Sequence, residues 1–118
     1  MKTEQAAMNE INSLKKLDHP NIIQLHEYYM DVNFIYLILE RIDGLELKDY
    51  IAQTNIEFQK NLRIIFKQLI LAVEHCHSHG IIHRNITPDN ILIIKRGEKF
   101  FLKLIDFSQV FFLSKNQI

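Results

Sequence analysis

Between Glu4 and Leu17 the apolar residues Ala7, Ile11 and Leu14 recur at the spacing of one helix face. Pro20, in the "LDHPN" that follows, drives its predecessor out of the helical region, so the predicted helix ends near Leu17. The next stretches, "IIQLHEYY" and "FIYLILE", are rich in β-branched and aromatic residues and are separated by "MDVN". That is the pattern of two antiparallel strands joined by a short turn. After "RIDG" a short polar helix is predicted over Leu45 to Ala52. A long amphipathic helix follows, with Leu62, Ile65, Phe66, Leu69, Val73 and Cys76 expected on a shared face and Gly80 as its C-terminal stop. Two further strand candidates, "NILII" and "FFLKLIDF", flank the polar "KRGEK" as a second hairpin, and the late "VFFL" reads as core or a buried strand. The order of elements is that of an α+β domain.

Composition narrows the class. At 118 residues, 47% hydrophobic and 24% charged, the chain has the make-up of one globular domain rather than two. Lysine plus arginine equal aspartate plus glutamate at 14 each, so no net field draws it to nucleic acid or to an anionic membrane. Its longest apolar stretch, "IIFKQLILAV", is interrupted by Lys67 and is too short to span a bilayer. Cys76 is the only cysteine and "MKTEQAAMNE" has no apolar signal region, which implies an intracellular, cytoplasmic address. His75, Cys76, His77 and His79 place two histidines one helical turn apart, yet a closed zinc site needs four ligands and no second pair has the spacing. Polar residues favoured by the dipole at a helix C-terminus are the better reading.

The chemistry-bearing residues lie in the loop after the long helix and at the end of the second hairpin. The first reads His83-Arg84-Asn85-Ile86-Thr87-Pro88-Asp89-Asn90, and the second reads "KLIDFS" with Asp106, Phe107 and Ser108. In this order and separation they resemble the H-R-D-L-K-P-E-N catalytic loop and the D-F-G turn of eukaryotic protein kinases. The stretch "NEINSLKKLDHPNIIQLHEYY" resembles the kinase C helix and following strand. "IYLILERIDGLELKDYI" resembles the next strand, the hinge and the short helix beyond it. The style is closest to serine/threonine kinases of the calcium/calmodulin-dependent kind. The resemblance covers nearly all of the chain, while the chain covers less than half of such a domain.

The resemblance implies a partial protein-kinase-like fold, with residues 1–40 part of the small lobe, 41–45 the hinge and 46–118 the start of the large lobe. It makes Glu10 the C-helix acid, Leu39 the guard behind the adenine pocket, and Glu40 and Ile42 the hinge residues whose backbone meets adenine. Leu92 would lie beneath the adenine ring, Asn90 and Asp106 would hold Mg2+, and Leu14, Leu25, His83 and Phe107 would form a column joining the lobes. Magnesium prefers oxygen ligands, which suits an aspartate and an asparagine facing one cleft when phosphates complete the shell.

Three of the departures from that pattern bear on the chemistry. Asn85 stands where the family keeps the aspartate that accepts the substrate proton; an amide orients a hydroxyl but cannot act as base, and a lost general base costs about two to four orders of magnitude in rate. Thr87 replaces a lysine beside the transferred phosphate, and Ser108 adds a Cβ where the family has glycine. No glycine-rich loop and no lysine-bearing strand precede Glu10 in this sequence, and the activation segment and A-P-E motif are not among its residues. The expectation is a pseudokinase-like binding module, inactive by itself, with weak or vestigial use of ATP and Mg2+. The alternative is part of an active ATP-dependent serine/threonine kinase whose other segments lie outside the chain. The strand matching "FIYLIL" and the apolar face of the long helix would lack the family's neighbours. Self-association or a protein partner is expected there.

Overall fold

Thr3 opens the first helix by accepting a hydrogen bond from Ala6 N at 3.1 Å through its Oγ1. The computed structural model describes residues 3–53 and 56–116. In chain order the elements are α1 (Glu4–Leu14), β1 (Leu25–Met30), β2 (Ile35–Leu39), β3 (Leu45–Glu46), α2 (Leu47–Ala52), α3 (Ile56–Lys60) and α4 (Leu62–Ser78). They continue with β4 (Ile81–Ile82), a 3-10 turn (Pro88–Asn90), β5 (Ile91–Arg96), β6 (Lys99–Leu104) and β7 (Phe111–Phe112). Helix α1 stops at Leu14, short of the expected Leu17, because Lys16 N and Leu17 N turn back to Ser13 O and Leu14 O in tighter bonds. That final turn still buries Leu17.

Strands β1 and β2 form the first hairpin, with Tyr29 opposite Tyr36 and Met30 opposite Ile35. Its turn is held by Asp31 Oδ1, which accepts from Asn33 N at 2.7 Å and from Phe34 N at 2.6 Å. β1 begins at Leu25 rather than Ile22 because Ile22 and Ile23 are diverted to β6: Ile23 N donates to Leu104 O and Leu104 N to Asn21 O. The second sheet runs β3-β5-β6, and β5 and β6 pair from Ile91↔Leu104 to Arg96↔Lys99. Leu45 lies in β3 rather than in a helix, since Leu45 and Glu46 pair with Ile93 and Leu92. Gly44 makes that approach possible, because a Cβ there would sit 2.5 Å from Ile93 O.

Helix α4 packs on β6 and β4, and its buried residues are Ile65, Ala72 and Cys76. The predicted face divides in two: Leu62 and Phe66 are 47% and 61% exposed, on a strip continued by Ile70. A helix that is apolar on nearly every side gives periodicity no single face to choose. Gly80, at φ 73°, ends it as expected. The small helix α3 was not foreseen; it seats Phe58 between Tyr50 and Phe100, with ring centroids 4.8 and 5.5 Å away. Of "VFFL", Val110 is buried and Phe111 and Phe112 pair with Ile82 and Ile81, but Phe111 remains 43% exposed. Among the described residues no helix is long and apolar enough to cross a membrane.

Candidate active site

His83 leaves β4 into the interior. Its Nδ1 accepts from Asn85 N at 3.1 Å, which places the ring proton on Nε2, 2.8 Å from Ile105 O. The ring meets Phe107 edge to face at 4.7 Å. Burial lowers the imidazole pKa; the bond to the Ile105 carbonyl and the charges of Asp106 and Glu10 oppose it without prevailing. Leu14 and Phe107 belong to one buried cluster against which Leu25 and Leu39 pack. The column expected from Leu14, Leu25, His83 and Phe107 therefore lies within one core region.

Two residues adopt left-handed backbone here, Arg84 at φ 67° and Asp106 at φ 56°. For non-glycine residues such conformations persist only where the surroundings over-determine them. Arg84 Nε donates to Gln109 O at 2.8 Å, and its guanidinium lies 5.4 Å over the Phe111 ring. Asp106 Oδ1 accepts from Ser108 N at 3.2 Å and from Ser108 Oγ at 2.6 Å. Its Oδ2 faces Asn85 Nδ2 at 3.5 Å, the long end of hydrogen bonding. Asn85 O in turn accepts from Asn90 Nδ2 at 3.0 Å, and Asn90 O accepts from Ile105 N at 3.1 Å. One bonded chain thus joins Asn90, Asn85, Asp106 and Ser108. Thr87 is half-buried on the same loop, its carbonyl accepting from Asn90 N at 2.9 Å.

Ser108 also reaches α1, because its carbonyl accepts from Asn9 Nδ2 at 3.3 Å. Glu10, next along that helix, is 4% exposed and lines a cavity of about 380 Å³ with Ala7, Ile35 and Leu37. Another hollow, about 530 Å³, includes Glu40, Ile42 and Lys103, and neither includes Asn90 or Asp106. Where the hinge is expected, Glu40 N donates to Gln24 O at 2.8 Å, and Glu40 Oε2 pairs with Lys103 Nζ at 3.0 Å. Ile42 and Leu92 are half-buried, Leu92 on β5 opposite Lys103.

Sequence reasoning missed Asn9, Lys103 and the grip of Ser108 on Asp106. Lys103 carried a faint signal as the one charge interrupting "FFLKLI"; Asn9 carried none. As donor types, Asn90 and Asp106 fit a hard divalent cation. The Asn90 nitrogen is used on Asn85 O, leaving its side-chain oxygen, and Asp106 contributes a carboxylate.

The family model for the protein kinase domain matches residues 1–117. CBL-interacting protein kinase 9 of Oryza sativa subsp. japonica is 42% identical over 98 residues, covering 83% of this chain and 21% of that protein. CBL-interacting protein kinase 21 of the same organism is 39% identical over 107 residues, covering 91% of this chain and 20% of that protein. The chain therefore spans about a fifth of the length of these relatives. The ordered loop and turn, the α+β arrangement around them and these matches together place the chain in the protein kinase family, as part of a kinase domain resembling the serine/threonine members.

Proposed function

We propose that this chain acts as a pseudokinase-like binding module that transfers no phosphoryl group by itself. The observation that carries the reading is the contact of Asn85 Nδ2 with Asp106 Oδ2 at 3.5 Å. Two carboxylates here would repel and leave a cleft between them for metal and hydroxyl. An amide instead offers a donor to the carboxylate and has no basic lone pair for the substrate proton. Ser108 adds a hydroxyl donor at 2.6 Å on the other Asp106 oxygen, so an entering cation competes with donors on both. Bound Mg2+ would offset phosphate charge. Asn90 and Asp106 would hold it, Glu40 and Ile42 would present hinge backbone to adenine, and Leu92 would pack beneath the ring. Association of ATP and Mg2+ is accordingly weak.

The module's partner surfaces are the outer edge of β2 and the exposed strip of α4, where Tyr36, Ile38, Leu62, Phe66 and Ile70 are each at least 45% exposed. They serve a protein partner or a second copy. An intracellular, cytoplasmic setting belongs to the same proposal; Cys76, the only cysteine, is buried and unpaired with another. A second reading, part of an active kinase completed by other segments, is favoured by one feature. Phe107 is fully buried against His83 with Asp106 turned toward the loop, an orderly arrangement rather than a collapsed one. A thermal shift with ATP and magnesium tests the proposal. Little or no stabilisation is expected; a large one that Asp106→Asn abolishes would overturn the weak-binding reading.

A further inference from the structure

The turn after α1 meets the C-terminal end of α4 through three histidines. Asp18 N donates to His75 Nε2 at 3.2 Å, and Asn21 N donates to His19 Nδ1 at 3.1 Å. A backbone N–H only donates, so both ring nitrogens must carry a free lone pair. The His19 and His75 ring centroids are 5.1 Å apart, and the His79 ring lies tilted against His75 at 4.4 Å. His79 Nδ1 lies 2.9 Å from His75 O; a carbonyl only accepts, so this nitrogen holds the proton. What the histidines hold is consequential. Asn21, two residues beyond His19, donates its side-chain amide to Gln68 Oε1 and Leu102 O, each at 2.9 Å, and its carbonyl accepts from Leu104 N.

We propose that the neutral rings of His19 and His75 form a pH-sensitive latch, in which His19 braces the Asp18–Asn21 turn from within and His75 fastens that turn, and with it α1 and the first hairpin, onto α4. Protonating His75 Nε2 or His19 Nδ1 turns an acceptor into a donor facing another donor, so the bond is lost and the loop is released. Each added charge also lies close to the next ring.

The surrounding charges are few. Asp18 faces both rings and favours protonation. Lys103 of β6, paired with Glu40, opposes it at His19, while His79 and His19 oppose it at His75. Burial is the largest influence on both rings, and both pKa values lie below the ordinary imidazole value. The closed loop therefore binds fewer protons than the opened one. Closure is fully favoured above the ordinary histidine value and weakens as pH falls through and below it.

Amide exchange of the whole chain, corrected for intrinsic rates, tests the latch. Between about pH 7.5 and about pH 5.5, protection at Asp18, Asn21, Ile23 and Leu104 should fall about tenfold or more. In the double variant His19→Asn, His75→Gln, whose amide oxygens still accept but do not titrate, it should stay constant. Equal pH dependence in both proteins, or none in the unaltered chain, overturns the proposal. Should the variant fail to fold, ring titration of the unaltered chain by NMR decides. His19 and His75 must titrate below the free-histidine value with the Asp18 and Asn21 amide signals following the same curve; titration at or above it, or amides that do not follow, overturns the latch.

Discussion

Two strand edges in this molecule carry the same backbone chemistry and meet different fates. The outer edge of β6 is covered: Gln68 Nε2 donates to Phe100 O at 3.0 Å, Gln68 Oε1 accepts from Leu102 N at 2.7 Å, and the Asn21–Ile23 segment takes up Leu104. The outer edge of β2 pairs with no backbone group among the described residues, and its alternate side chains Tyr36 and Ile38 are exposed. A polar side chain placed on a helix can substitute for a missing strand, satisfying donor and acceptor together. The first edge belongs to the three-stranded sheet beside the candidate site. The second belongs to the hairpin expected to seek company.

The largest effect should come from uncovering β6. Gln68→Leu leaves Leu102 N–H, Phe100 C=O and the Asn21 amide short of partners in a buried setting, a loss of about 3 kcal/mol by urea unfolding. A change below about 0.5 kcal/mol would show that water replaces the side chain at no cost. Asn21→Ala removes two hydrogen bonds but also one of the groups needing them, and should cost about 1–2 kcal/mol in the same measurement.

On the other edge, Tyr36→Lys with Ile38→Lys should leave stability within about 0.5 kcal/mol while lowering the mass seen by light scattering. Phe66→Lys with Ile70→Lys tests the α4 strip in the same way. If neither pair changes the mass, or the unaltered chain is a monomer that binds no hydrophobic dye, these surfaces do not drive self-association. The smallest effect is chemical. Burial pushes the Cys76 thiol up to about 11, so alkylation near pH 8 should be negligible in the folded chain and appear only as urea unfolds it. Rapid labelling without unfolding would mean that α4 does not stay seated on β6.

The covered edge shows where reading a sequence stops. The loop and turn motifs were legible as a family resemblance because their pattern is local, and hydrogen bonds link Asn85, Asn90 and Asp106 there. The α1 helix, both hairpins and the Gly80 stop were legible from periodicity and turn chemistry, with β1 shortened because Ile22 and Ile23 pair with a strand some eighty residues away. Strands as brief as β3 and β4 exist only through distant partners and have no pattern of their own, while β7 falls in the apolar "VFFL". The bonds from Asn9 to Ser108 and from Asn21 to Gln68 likewise join residues with no sequence relation. At Ser108 the substitution was visible, but the direction of its hydroxyl toward Asp106 was not.

The proposed inactivity rests on the loop, where Asn85 would stand in place of a base while the donors of Asn85 and Ser108 reach Asp106. Its most direct test is magnesium-dependent incorporation of labelled phosphate from ATP into a protein substrate, measured for the unaltered chain and for Asn85→Asp. The account predicts no incorporation by either, because restoring the base does not restore the positioning on which phosphoryl transfer chiefly depends. Incorporation by the unaltered chain that Asp106→Ala abolishes would contradict the proposed inactivity, and a clear gain from Asn85→Asp alone would contradict the claim that positioning is lacking.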